Sequence, residues 1–69
     1  MIHVTLEAQA EQIELENVKS VVALLNKLKR KPARCLVIRE QEGGDQLLTP
    51  DAQLRYGDRI RIRDVSSRG

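Results

Sequence analysis

The hydrophobic pattern of this chain changes period twice. Ile2-His3-Val4-Thr5-Leu6 alternates apolar and polar residues, and Gln12-Ile13-Glu14-Leu15-Glu16 does so again after the small, polar stretch from Ala8 to Glu11. Alternation at period two marks strands with one buried face. Two such runs so close together predict an antiparallel hairpin with Ile2, Val4, Leu6, Ile13 and Leu15 on one side. From Val21 the spacing becomes helical, with Val21, Leu24, Leu25 and Leu28 on one stripe. Ser20 is placed to accept an early helix N–H; Asn17 is a competing cap, because Val18 also falls on the stripe. The helix is expected over 20–31. Lys27, Lys29, Arg30 and Lys31 crowd its carbonyl end, where cations complement the dipole, and Pro32 stops it.

Strand character returns at Cys35-Leu36-Val37-Ile38-Arg39. Glu42-Gly43-Gly44-Asp45 reads as a turn, Gln46-Leu47-Leu48 as a short fourth strand ended by Thr49-Pro50-Asp51, and Leu54 to Asp58 as a second tight turn. Arg59-Ile60-Arg61-Ile62-Arg63 alternates cleanly and is the last strand, with its isoleucines inward. The order β-β-α-β-β-β predicts an α+β domain with one helix packed on a mixed sheet, the order of the β-grasp (ubiquitin-like) fold. Val21, Leu24, Leu25 and Leu28 are expected to pack on Val4, Leu6, Ile60 and Ile62. Residues 1–64 form a single domain. Residues 65–69 are expected to form a flexible tail, since the stretch from Asp64 to Gly69 offers only Val65 as an apolar anchor.

Composition narrows the picture. A chain of 69 residues holds one core, and with no Phe or Trp that core is built from Ile, Val and Leu, which leaves little interior for an enclosed substrate cavity. No nucleophile–base pair, metal-ligand set or phosphate loop is visible, so neither an enzyme nor a resident cofactor is expected. Cys35 stands alone and reads as a structural thiol, which fits a reducing compartment. His3 has no second ligand type clustered with it and reads as a surface strand histidine. No apolar run approaches the roughly 20 residues of a membrane span, and no signal-peptide pattern opens the chain, so the expected location is cytoplasmic.

The net charge of +2 is small, but its distribution is two-signed: residues 7–16 are acidic, residues 27–39 are basic, and the last strand is basic again. Such a surface suits a protein partner. Without interleaved aromatics there is no base-stacking platform, so no specific nucleic acid is expected. The helix-end cations read as a solvated turn rather than a phosphate site. Arg59, Arg61 and Arg63 project from the sheet face away from the helix, and Val37 joins them if Leu36 and Ile38 point inward. This is the candidate partner-binding face, set against the plainer reading of a solvated strand face.

Two segments carry a family resemblance. Ser20-Val21-Val22-Ala23-Leu24-Leu25-Asn26-Lys27-Leu28 looks like the capped helix of the ThiS/MoaD sulfur carriers, which are small ubiquitin-like proteins. Leu54-Arg55-Tyr56-Gly57-Asp58-Arg59-Ile60-Arg61-Ile62 is similar to their L-x-x-G-D-x-I-x-I approach to the last strand. The Gly-Asp turn is shared with TGS and S4-like RNA-binding modules, although S4 modules begin with helices and this chain begins with a strand pair. The resemblance implies a terminal carboxylate, at Gly69, that an adenylating enzyme related to ubiquitin-activating enzymes activates with ATP. Its thiocarboxylate would then deliver sulfur to an accepting synthase in thiamine- or molybdopterin-type biosynthesis. Val65, Ser66, Ser67 and Arg68 form the arm, and Arg68 stands where the family has its penultimate glycine. A non-conjugated interaction module working through the arginine face remains the alternative.

Overall fold

The alternating runs form strands β1 (Ile2–Leu6), β2 (Glu11–Leu15), β3 (Cys35–Glu40), β4 (Gln46–Leu48) and β5 (Arg59–Asp64). Helix α1 (Val21–Lys27) lies between β2 and β3. The structure is a computed structural model and describes residues 1–65. The strands make one mixed sheet in the order β2-β1-β5-β3-β4, with β5 parallel to β1 and every other pairing antiparallel. The fold is thus α+β, one helix on a five-stranded sheet.

Helix α1 starts where Ser20 stands. The Ser20 hydroxyl accepts the Ala23 N–H at 3.1 Å, and the N–H groups of Val21 and Val22 donate to the carbonyls of Ala52 and Pro50. Three donors that a helix start leaves unpaired are thereby satisfied, two of them by the loop between β4 and β5. Asn17 is no cap: it takes a left-handed conformation, φ 63°, in the bend after β2.

The helix ends a turn earlier than the 20–31 expectation. Lys29 adopts φ 59°, its N–H donates to the Asn26 carbonyl, and the Arg30 N–H donates to the Leu25 carbonyl at 2.8 Å. This is a Schellman closure with lysine where glycine is usual. Lys29, Arg30 and Lys31 therefore lie beyond the helix and do not extend its last turn.

One face of the sheet packs on α1. Val4, Leu6, Ile60, Ile62, Val21, Leu24 and Leu25 are buried together with Ile2, Val18, Leu48 and Leu54, and Leu28, Ile13 and Leu15 are partly buried against them. The core is wholly aliphatic, with Tyr56, the sole aromatic, 88% exposed.

Val37 is a correction. It is buried in this core, opposite Ile62 and Leu48, while Leu36 and Ile38 turn to the outer face. The register decides this: Ile62 faces the helix, so its cross-strand partner must face it too.

Candidate functional site

The outer face of the sheet carries Arg59, Arg61 and Arg63 from β5, His3 and Thr5 from β1, and Leu36, Ile38 and Glu40 from β3. The structure brings the three arginines to one face and removes Val37 from it. Arg61 is the centre. Its guanidinium lies 3.3 Å from Glu7, 2.9 Å from Glu40 and 2.9 Å from Asp45. Arg63 Nε donates to Glu7 at 2.9 Å.

Glu7 is held below its ordinary carboxylate range chiefly by the hydrogen bond from Arg63, with Arg61 adding to it against the opposing effect of burial. Arg61 is held charged first by its hydrogen bond with Glu7, and its buried Nε has no partner among the described residues. These two arginines are therefore matched within the molecule. Arg59 has no carboxylate partner among the described residues. Beside the network lies apolar surface, with Leu47 63% and Leu36 36% exposed.

Glu7 was visible in the sequence only as one member of an acidic run. The residue follows β1 in a short 3₁₀ turn (Glu7–Gln9), which carries its carboxylate to the end of β5. The one available signal was charge: three outward arginines on a central strand require counter-charges from neighbouring elements.

The Gly-Asp turn precedes β5. Gly57 has φ 88°, a region that favours glycine, and its N–H donates to the Met1 carbonyl at 2.8 Å. One Asp58 carboxylate oxygen accepts the Arg55 N–H at 2.8 Å and lies 3.1 Å from the Arg39 guanidinium. The Asp58 carbonyl accepts the His3 N–H at 2.9 Å. The turn thus fixes the parallel register of β5 on β1. Arg39, with its side chain 14% exposed, also donates to the Gln53 carbonyl at 2.7 Å and so binds β3 to the same loop.

At the other end of β5, strand pairing continues through Asp64, so the flexibility expected from Asp64 onward does not include that residue. Asp64 accepts from Arg30 and from the Cys35 thiol, and the Val65 N–H donates to the Arg34 carbonyl at 2.9 Å. Burial and the Asp64 charge push the Cys35 thiol up, so it stays protonated at neutral pH and is a poor nucleophile. Ser66, Ser67, Arg68 and Gly69 lie outside the described residues.

His3 pairs with Glu14 at 3.3 Å on the exposed surface, and no group of three potential metal ligands occurs among the described residues. No helix among them is long and apolar enough to cross a membrane. No family model matches the chain, and no curated protein matches it.

Proposed function

We propose that this chain is a β-grasp, ubiquitin-like protein of the ThiS/MoaD sulfur-carrier type. The observation that carries the reading is the sheet order β2-β1-β5-β3-β4 with a Gly57–Asp58 turn clamped on the start of β1. The resembling L-x-x-G-D-x-I-x-I segment supplies that turn and then the inward Ile60 and Ile62. In this reading the Gly69 carboxylate attacks the α-phosphorus of ATP held by an adenylating enzyme. Pyrophosphate leaves and an acyl-adenylate forms. A sulfur nucleophile then displaces AMP to give the thiocarboxylate, which passes sulfur to a synthase. Incubation with ATP, an adenylating enzyme from the same source and a sulfide donor should give, by intact mass spectrometry, the mass gain of one oxygen-to-sulfur exchange. Deleting Gly69 should abolish it, and Arg68→Gly should quicken adenylation by thinning the arm. Failure of both the native protein and Arg68→Gly to form an adenylate would end the carrier reading.

The second reading is a non-conjugated interaction module. It is favoured by the exposed Leu36 and Leu47 on the outer face, where Leu36 lies across from Arg63 and Leu47 across from Ile38, an apolar surface with a charged rim of the kind that partners cover. Leu47→Glu should weaken partner capture without unfolding the domain.

A further inference from the structure

Lys29, Arg30, Lys31 and Arg34 line an open cleft with Cys35 and Asp64, where the end of α1 meets the ends of β3 and β5. Among the described residues its one carboxylate, Asp64, is already bound by Arg30 and the Cys35 thiol. Lys29, Lys31 and Arg34 are exposed and have no carboxylate partner among the described residues. The cleft is therefore strongly cationic, in contrast to the arginine face, where Glu7, Glu40 and Asp45 match Arg61 and Arg63.

A second observation concerns Lys29, which shares left-handed backbone with Ala10 and Asn17 but alone of the three lines this cleft. Left-handed backbone is costly for any residue with a Cβ, and a Schellman closure is made most easily by glycine. Lysine at φ 59° makes the helix end less stable than glycine would. Strain of this kind is over-represented at binding and switch sites, and Lys29 is the strained residue that carries a charge.

We propose that this cleft docks an acidic segment of a protein partner. The chemistry favours spaced carboxylates over a compact phosphate. Phosphate sites gather several converging backbone N–H groups, but here those of Lys29, Arg30, Arg34 and Cys35 are committed to carbonyls and Pro32 has none, which leaves only those of Lys31 and Ala33 in this segment. The cations instead stand on separate stems from the helix closure and the 3₁₀ turn Pro32–Arg34, which suits side chains strung along a peptide. No aromatic lines the cleft to stack a base. Val65 sits at its rim, so a partner seated there also contacts the chain where it leaves β5. The proposal stands apart from activation of Gly69.

The test is an NMR titration of the isotope-labelled protein with hexaglutamate at low ionic strength. Amide shifts should be confined to residues 29–35 and 64–65 and fade as salt rises. Lys29→Gly should weaken binding by about two- to fivefold, the scale of one exposed charge, while raising the melting temperature. Loss of binding there cannot be blamed on misfolding. Lys29→Gly combined with Lys31→Gln and Arg34→Gln should remove the shifts. The proposal is overturned by shifts centred on Arg59 and Arg63, by no shifts at all, or by unchanged binding in the triple variant. Equal or tighter binding of pyrophosphate or oligouridylate at the cleft would overturn it too. So would shifts at these residues that depend on protein concentration alone, which would mean self-association against the acidic edge of β2.

Discussion

The two faces of the sheet are held by different forces, and β5 belongs to both. Ile60 and Ile62 point into an aliphatic core that includes Leu24 and Leu25, while Arg61 between them points to Glu7, Glu40 and Asp45. The helix face is stabilised by burial, which has no preferred direction and is little affected by salt or pH. The outer face depends on charge placement, and its ion pairs join elements distant in sequence, such as Glu7 with Arg61 and Arg63. One alternating strand thus serves cohesion on one side and alignment on the other.

The comparison can be tested in descending order of effect. Leu24→Ala, at a fully buried site, should cost about 2–5 kcal/mol in urea denaturation, with the same loss at low and high salt. Asp58→Ala removes the carboxylate partner of Arg39, which keeps the Gln53 carbonyl, and strands the Arg55 N–H; it should cost about 1–3 kcal/mol, and Asp58→Asn should recover part of it by still accepting from Arg55. Lys29→Gly touches neither face and should add about 0.5–1 kcal/mol by relieving left-handed strain, less the extra freedom glycine gives the unfolded chain.

Smaller still is Arg61→Met, which leaves Glu7, Glu40 and Asp45 without their shared cation. Its loss should shrink as salt screens them, whereas that of Leu24→Ala should not. Acid gives the companion result. Because the folded carboxyl of Glu7 titrates below its ordinary value of 4.5, its contribution is present above that value and is lost as pH falls through the folded one. The stability gap between the native protein and Glu7→Gln should therefore be open at neutral pH and close in acid below 4.5.

Elements whose cause is local were legible in the sequence. Ser20 caps α1 because its hydroxyl reaches three residues on, and the alternation in β5 fixes which side its arginines take. The helix end was not legible: the apolar stripe runs on through Leu28, and a left-handed Lys29 leaves no glycine to announce the stop. Val37 was misplaced because Leu36, Val37 and Ile38 are all apolar, so β3 has no alternation of its own and takes its facing from Ile62 across the sheet. The candidate site was half legible. The three outward arginines could be placed, but their partners arrive from a 3₁₀ turn, from β3 and from the loop before β4, and no local pattern encodes those meetings.

The position of β5 has a mechanical consequence. It lies beside β1, runs the same way, and is paired with β3 on its other edge. Tension drawn between residue 2 and residue 64 pulls the two parallel strands past one another along their length. Their cross-strand bonds then bear the load side by side and must give way together, instead of peeling open one at a time as in a hairpin pulled at its free ends. Force applied between the start of β1 and the end of β5 therefore loads these strands in shear rather than in peeling.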